Sequence, residues 1–329
     1  MPEQSPPLDP QAIDLHAHFL PPRYRESALA HGQAHPDGMP GLPEWNAGDA
    51  IAMMDDVGIR AAALSISSPG VGFLELAEDR ADLAKAVNED GAAAVAEYPD
   101  RFGLLASLPL PDIDLALREI DYAFDTLHAD GVGLHTHYDQ VYLGDERLEP
   151  VMAALDARGA LVTIHPVSPC GWEAVAFGRP RPIVEFLFDT TRAVVNMALS
   201  GVLDRYPGIR WVVPHAGAAL PVLADRVSLL SAALSPPGSP QVDVVAGLRR
   251  LHYDVAGVPL PRALPALLTL VDGDRLVYGS DYPFTNAAIA RRLAEELVES
   301  PALDGELRQA VFSANAERLI PRLAGPAAH

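Results

Sequence analysis

The stretch Ala12-Ile13-Asp14-Leu15-His16-Ala17-His18-Phe19 places two histidines at the end of a short, largely apolar run. Such a run is typical of a buried strand, and side chains two positions apart on a strand point to the same face. His16 and His18 can therefore reach one ion together. Because neutral imidazole binds zinc, iron and related divalent metals, the pair supplies half of a metal site. The other interpretation is two hydrogen-bonded histidines at a strand end.

Short apolar runs alternate with longer amphipathic stretches along the whole chain, as strand–helix units do. The predicted strands are Ala12–Phe19, Ala61–Ser68, Phe102–Leu110, Gly131–Tyr138, Leu161–Pro166, Ile209–Gly217, Leu251–Gly257 and Arg275–Pro283. The predicted helices lie near residues 49–57, 75–98, 112–128, 146–157, 182–204, 219–234, 261–271 and 286–299. Eight such units predict an α/β fold, a (β/α)8 TIM barrel formed by one domain over residues 1–329. The other interpretation, a doubly wound open sheet, more often has glycines after its first strand, where this chain has Phe19-Leu20-Pro21-Pro22.

Segments between and after these units carry predictions of their own. An extra C-terminal helix, Leu303–Leu323, follows the eighth unit, and we expect it to pack outside the ring. Two segments rich in glycine, proline and aromatic residues, Pro21–Glu44 and Ser168–Pro182, follow predicted strand ends. Because barrels build their active sites at that end, these segments are expected to form lids or substrate walls. The run Pro236–Pro240 is expected to form a surface turn.

The composition excludes several classes of partner. With 44 acidic against 24 basic residues, the formal net charge of −20 opposes binding to phosphate backbones and anionic lipid surfaces. We therefore expect no nucleic acid and no membrane among the partners, and no run reaches the ~18 apolar residues that span a bilayer. Met1–Pro10 lacks the basic start and apolar core of a signal peptide, which predicts no export. The single cysteine, Cys170, is interpreted as an ordinary loop residue and fits a reducing, cytoplasmic location.

Polar residues with metal-binding or acid–base chemistry recur at the ends of the predicted strands. His16 and His18 end the first strand, His165 the fifth, His215 the sixth and Asp281 the eighth. The carboxyl ends of barrel strands surround one mouth, so these residues are expected to meet in a common pocket. Three histidines and a carboxylate can hold a divalent ion with room for water or substrate. Taken alone, His165 could be a buried histidine bonded to backbone, and Asp281 could cap the helix that follows.

The other histidines are weaker candidates. His135 and His137 share a face of the predicted fourth strand, and one of them could line the pocket, although packing within the barrel is the favoured interpretation. Five histidines have no strand-end position and are given no role: His31, His35, His128, His252 and His329.

Four motifs together connect the chain to a known superfamily: Asp14-Leu15-His16-Ala17-His18, Ile164-His165-Pro166, Pro214-His215-Ala216-Gly217 and Gly279-Ser280-Asp281-Tyr282-Pro283. Over residues 12–320 the chain resembles the amidohydrolase superfamily, and within it the branch of aminocarboxymuconate semialdehyde decarboxylase and related decarboxylases of hydroxylated aromatic acids. Four further segments are most similar to those of 6-methylsalicylate decarboxylases: Phe19–Pro22, Pro36–Pro40, Ser65–Val71 and Tyr142–Arg147.

The resemblance implies a role for each strand-end residue. His16, His18, His165 and Asp281 would be the ligands of one zinc or manganese ion, with zinc expected first, and His215 would act beside them as an acid, base or polarising group. Hydrolytic relatives often bridge two metals with a modified lysine on the fourth strand. That strand has no lysine here, so the resemblance implies a single metal ion.

The same branch carries an arginine after the sixth-strand histidine, in some members reaching the neighbouring subunit's pocket to hold a substrate carboxylate. Arg226 occupies this position, which implies substrate binding and a homodimer. The other interpretation is an exposed arginine paired with a local acid. The second carboxylate-binding arginine has no counterpart between Gly41 and Ala50, where Trp45 stands, and this counts against a dicarboxylate substrate.

The resemblance favours metal-dependent, non-oxidative decarboxylation of a small aromatic acid with an ortho hydroxyl group, in which Asp281 would deliver a proton to the ring. The aromatic side chains Phe73, Trp172, Phe188, Tyr282 and Phe284 flank the predicted mouth and could stack on such a ring, although barrel packing explains them nearly as well. The competing function is hydrolysis of a lactone, ester or amide by metal-activated water, with Asp281 as the general base. The third possible function is that of a non-catalytic barrel that binds a small molecule.

Overall fold

Eight parallel strands form one ring in the computed structural model, which describes residues 11–236, 238 and 241–324. The strands are β1 Ala12–His18, β2 Ile59–Ser65, β3 Phe102–Ser107, β4 Gly131–His135, β5 Leu161–His165, β6 Arg210–Val213, β7 His252–Asp254 and β8 Leu276–Val277. Each strand pairs with the next, and a parallel bridge between Asp14 and Tyr278 joins the last strand to the first. The (β/α)8 barrel predicted from the alternation of segments is therefore confirmed.

Eight helices follow the strands as predicted. They are α1 Ala47–Val57, α2 Ala77–Glu97, α3 Ile113–Asp125, α4 Glu149–Ala157, α5 Glu185–Leu199, α6 Leu220–Leu234, α7 Ala263–Leu267 and α8 Ala287–Glu299. Shorter helices lie in the connections, at Pro22–Ala30, Trp172–Val175, Val202–Arg205 and Val244–Arg249. Side chains at Asn46, Asp112 and Asn286 cap α1, α3 and α8 by accepting a backbone N–H of the first turn, which fixes where each helix begins.

The predicted strands extend too far at their carboxyl ends. The chain leaves β6 after Val213 and enters a tight turn in which His215 and Ala216 have left-handed φ angles of 57° and 52°. It leaves β8 after Val277, and Asp281 has a φ of 58°. The predicted fourth strand ends at His135, and a separate two-stranded hairpin, His137–Tyr138 with Val141–Tyr142, follows. Apolar patterning continues through these turns because they are buried, and it therefore does not reveal where the pairing stops.

The C-terminal segment differs from its prediction in both form and place. The expected single helix Leu303–Leu323 is divided into Gly305–Gln309, the π-helical turn Ala310–Ala314, Asn315–Leu319 and Pro321–Leu323. Its first part packs outside the ring as expected, where Leu303, Val311 and Phe312 join the core between the strands and the helices. Its last part, from Ala316 onward, covers the amino-terminal end of the barrel. Its apolar side chains join the interior side chains of the strands in one cluster: Ala316, Leu319, Ile320 and Leu323 with Ile13, Leu15, Ala61, Ala63, Leu105, Leu161, Val212 and Val277. At the same end, Arg322 forms an ion pair with the buried carboxylate of Asp130.

Some predictions fall outside the described residues, namely those for Met1–Pro10, for His329 and for most of the turn at Pro236–Pro240. Among the helices that are described, none combines the length and the apolar character that crossing a bilayer requires.

Candidate metal centre

Four side chains meet inside the carboxyl-terminal mouth of the barrel. His16 and His18 extend from β1, His165 from the end of β5, and Asp281 from the loop after β8. One ligand atom from each lies within 4.8 Å of all the others. The three histidines are at most 9% exposed, and the side chain of Asp281 is 21% exposed. The residues predicted as ligands are thus brought together at one point.

The outward-facing nitrogen of each imidazole is held by an acceptor. These contacts join Nδ1 of His16 to Asp254 Oδ2 at 2.8 Å, Nδ1 of His18 to the Ser65 carbonyl at 3.3 Å, and Nδ1 of His165 to the Pro166 carbonyl at 2.8 Å. Because carboxylate and carbonyl oxygens only accept, Nδ1 of His16 and Nδ1 of His165 each carry a proton, while Nδ1 of His18 also lies 3.2 Å from the Ser65 hydroxyl oxygen. The Nε2 atom of each imidazole faces the cluster. This arrangement orients three nitrogen ligands inward.

The inner atoms of the cluster fit a cation. Oδ1 of Asp281 lies 3.1 Å from Nε2 of His18 and 3.6 Å from Nε2 of His16. Within the described part of the chain, the buried Nε2 of His16 has no hydrogen-bond partner. Lone pairs of nitrogen and carboxylate oxygen at such distances repel unless a proton or a cation lies between them, so the contact between His18 and Asp281 suits a bridging positive charge. Three nitrogens and one oxygen are the donor set that a single zinc or similar divalent ion takes, with a position left for water or substrate.

The electrostatics of the cluster agree with this assignment. Burial disfavours an ionised Asp281, but the hydrogen bond from His18 and the charge of His16 outweigh it and lower the pKa of the carboxyl group to about 2. Burial also lowers the pKa of His18 and His165. In His16 the carboxylates around the imidazole, with Asp254 foremost, outweigh burial and raise its pKa to about 9. The site therefore presents an ionised carboxylate and neutral imidazoles at His18 and His165, and His16 has to lose a proton when a metal ion binds.

His215 stands next to the four ligands without joining them. Its ring centroid lies 5.1 Å from that of His16, and its buried Nδ1 has no hydrogen-bond partner within the residues that the structure describes. Its backbone N–H donates to Oδ1 of Asp254 at 2.9 Å, and the same oxygen accepts the N–H of Ala256 at 3.0 Å. One carboxylate at the end of β7 therefore fixes both the ligand His16 and the turn that carries His215.

A cavity of about 470 Å³ opens above the ligands. Its base is formed by His165, His215 and Asp281, and its walls are mostly apolar. The lining residues of the walls include Pro36, Asp37, Met39, Pro182, Ile183, Phe186, Leu187, Val258, Ala263 and Phe284. Both segments expected to form lids or walls contribute, through Pro36–Met39 and through Pro182.

The aromatic residues singled out in the sequence have different positions. Phe284 lines the cavity, and its ring centroid lies 5.7 Å from that of His18. Phe188 does not line it: on α5 this side chain faces solvent and is 50% exposed. The helical repeat places Phe186 there instead, with its ring 6.0 Å from His165. The prediction for Phe188 is therefore corrected to its neighbour two residues earlier.

Two other predicted aromatic contacts also lie off the main cavity. Trp172, at the start of the short helix Trp172–Val175, does not line the main cavity, and the guanidinium of Arg181 stacks on its ring at 4.0 Å from the centroid. Phe73 lines a smaller adjacent cavity of about 220 Å³, together with His135 and His137. Neither histidine lines the larger cavity, but both line this smaller one. His137 lies in the hairpin after β4, so the favoured interpretation, packing within the barrel, is wrong for this residue.

Arg226 lies on the exposed face of α6 and does not line the cavity of its own chain. Its guanidinium forms no ion pair with any described residue, so the local acid of the alternative interpretation is not found. The exposed cysteine, Cys170, lies outside the ligand cluster, and so do His31, His35, His128 and His252.

Sequence reasoning missed Asp254. The residue ends the seventh strand, so the strand-end argument that selected the other residues could have found it. It was missed because a lone aspartate within an apolar run also fits a turn. Phe186 was missed because the periodicity of α5 alone does not show which of its faces meets the mouth.

The fold and the cluster together define a (β/α)8-barrel protein with a site suited to one divalent metal ion. The chain belongs to the Amidohydrolase family, whose profile matches residues 13–322. It is 33% identical over 317 residues to a 6-methylsalicylic acid decarboxylase of Penicillium expansum, covering 95% of this chain and 97% of that protein. It is 34% identical to the 6-methylsalicylic acid decarboxylase acuB of Aspergillus aculeatus, covering 94% and 96%. Among solved structures, 5-carboxyvanillate decarboxylase LigW of Sphingomonas paucimobilis superposes with a TM-score of 0.84 at 25% identity, covering 94% and 99%.

Proposed function

We propose that this amidohydrolase is a carboxy-lyase that removes carbon dioxide from an ortho-hydroxylated aromatic acid of the 6-methylsalicylate type. The observation that carries the proposal is the position of Asp281, which belongs to the ligand cluster and also lines the apolar cavity where a ring can lie. A carboxyl group there can reach both the metal ion and a ring carbon. The named activities of the relatives that match nearly the full length of the chain support the same reaction class.

His16, His18, His165 and Asp281 would hold the metal ion, for which zinc is proposed first and manganese second. When bound, such an ion would supply the positive charge that neutralises a substrate carboxylate and phenolate and would help to fix their orientation. The N-rich ligand set supports zinc, although manganese accepts the same ligands.

The protein's own residues would perform the proton transfer. Asp281, protonated during the cycle, delivers its proton to the ring carbon that bears the carboxylate, and the ortho oxygen stabilises the resulting ketone-like ring. The bond to the carboxylate then breaks, its electron pair restores aromaticity, and carbon dioxide leaves. Since the pKa of Asp281 is held at about 2, this carboxylate needs a proton source, and His215 beside the cluster is proposed to relay one to it.

We further propose that the chain forms a single domain and a homodimer in the cytoplasm. An exposed apolar strip on α6 supports the dimer, because Val222 and Leu229 are 78% and 69% exposed on either side of Arg226. A strip of this kind fits a second copy, and Arg226 would then reach the partner's mouth. The single cysteine, Cys170, supports a reducing compartment.

The proposal is tested by incubating zinc-loaded and manganese-loaded protein with a panel of salicylates and simple lactones, and by following products by mass. Release of carbon dioxide from a salicylate is the expected result. Gain of water by a lactone, with salicylates unchanged, would instead support hydrolysis. Metal-stripped protein serves as the control and should be inactive with every acid.

A further inference from the structure

Apolar side chains continue from the cavity onto the protein surface. Ile183 and Val258 line the cavity, yet they are 59% and 73% exposed, so they form its outer rim. A single exposed apolar residue is common in soluble proteins. Two large ones at the mouth of an apolar cavity extend its surface outward, and such contiguous apolar surface marks a binding site.

A second pocket adjoins the cavity across Ile183. It has a volume of about 240 Å³, and Ile183 lines both spaces. Its walls are mostly apolar and include Val175, Pro180, Val184 and Phe177, which is 78% exposed; the charged residues Arg179 and Glu185 also line it. Phe177 has a φ of 52°, in the left-handed region that bulky residues rarely adopt. The backbone thus holds a large aromatic side chain outward in a costly conformation at the edge of this pocket.

The size and charge of the cavity limit what can occupy this extension. A volume of about 470 Å³ lies within the range of ~300–1,000 Å³ typical of pockets for drug-sized ligands, and a single ring with a methyl group fills little of it. The only charged side chains that line the cavity within the described residues are the acids Asp37 and Asp281, with no lysine or arginine. A second carboxylate would meet repulsion there, whereas a hydrocarbon chain would not.

We propose that the substrate carries an alkyl chain longer than methyl at ring position 6, next to the carboxylate-bearing carbon, and that this chain lies over Ile183 and enters the second pocket. The inference rests on the proposed decarboxylation and names its substrate class, the 6-alkylsalicylates. The chain covers apolar surface that is otherwise exposed to water, so each methylene adds to substrate binding.

The first experiment measures kcat/KM for salicylates that carry hydrogen, methyl, propyl or pentyl at position 6. The value is expected to rise by up to about fourfold per added methylene, the gain that burial of a CH₂ group gives. A series that is flat or falls beyond methyl overturns the inference but leaves the decarboxylase proposal standing. Failure to decarboxylate any acid of the series overturns both.

Two variants test whether the preference for longer alkyl chains arises at Ile183. Ile183→Ser is expected to reduce the ratio of kcat/KM for the pentyl and methyl acids toward one. Leu76→Ser removes an apolar residue of similar exposure, 62%, that does not line either pocket, and it should keep the parent ratio. An unchanged ratio in Ile183→Ser overturns the inference. If the same variant also changes the sedimentation coefficient of the protein, a second copy, not a substrate chain, covers this surface.

Discussion

The carboxylate of Asp254 lies 2.8 Å from Nδ1 of His16 and holds that imidazole so that its other nitrogen faces the ligand cluster. The same carboxylate accepts the backbone N–H of His215, so the end of β7 connects the metal ligand to the neighbouring acid–base candidate. Asp254 does not line the cavity, and its effect on the reaction would pass through these two residues. It is therefore a positioning residue.

Asp254→Asn is expected to lower the affinity for zinc by about 10–100-fold, because the amide no longer fixes the tautomer and orientation of His16. The measurement is competition of the purified protein with a zinc chelator. Asp130→Asn provides the matched control: it removes another buried carboxylate, at the opposite end of the barrel, and should keep the parent affinity. Equal affinities in the two variants would contradict the positioning role.

Asp281→Asn should abolish decarboxylation, with kcat lower by about 10²–10⁴-fold, since an amide cannot deliver a proton to the ring. Metal content has to be measured alongside, because the variant also removes an oxygen ligand. Turnover retained in a metal-loaded sample of this variant would refute the proton-donor role.

His215→Gln separates acid–base chemistry from metal binding. We expect kcat to fall by about 10²-fold or more, while zinc affinity stays within a few fold of the parent, because His215 stands outside the ligand cluster. His135→Gln, which alters a buried histidine of the adjacent cavity, should leave kcat near the parent value. Loss of zinc from His215→Gln would show that this residue is a ligand.

The dimer proposal predicts that Leu229→Asp yields monomers in sedimentation analysis, because a negative charge would replace one of the two large apolar side chains of the exposed strip on α6. Arg226→Ala should keep the dimer and raise KM for the aromatic acid, since it removes a cation and little apolar surface. A monomeric parent protein would contradict both expectations.

A buried carboxyl group far from the metal centre predicts a pH effect on stability. Burial raises the pKa of Glu119 on α3 to about 7, although its hydrogen bond from Asn88 opposes the shift. Because the folded-state pKa is above the unfolded value, the protonated form favours folding at low pH, and this contribution is lost as pH rises through about 7. Glu119→Gln should therefore be more stable than the parent at pH 8, by about 1–2 kcal/mol, and similar to it at pH 4. Thermal unfolding at both pH values tests this, with Glu44→Gln, whose parent side chain is 91% exposed, as the control.

The alternation of apolar runs with amphipathic stretches was sufficient to predict the barrel, and the strand-end position of His16, His165 and Asp281 was sufficient to predict the cluster. Both depend on patterns that recur at every unit of the fold. The path of the C-terminal segment could not be predicted in the same way. Its apolar residues, such as Leu319 and Leu323, fit packing on the outside of the ring as well as coverage of its end, and only the tertiary structure distinguishes the two.

Side-chain direction was the other limit. The sequence analysis expected Phe188 at the mouth, but Phe186, two residues earlier on α5, lines the cavity, while Phe188 faces solvent. The periodicity of α5 does not show how the helix is rotated about its own axis relative to the cavity. Asp254 was missed for a related reason. Its role as a positioning residue depends on its contacts with His16 and His215, which lie 238 and 39 positions away in the chain.

The closure of the barrel's amino-terminal end has a consequence for how the protein is made. Ile13 and Leu15 of the first strand are covered by side chains that lie about three hundred residues later, at Ala316–Leu323. While the chain is still emerging from the ribosome, the base of the barrel stays open to water, and its interior aliphatic side chains are left without their final cover. The native core can be completed only after residue 323 has been synthesised, so packing of the last helical turns onto the base of the barrel has to be a late event in folding.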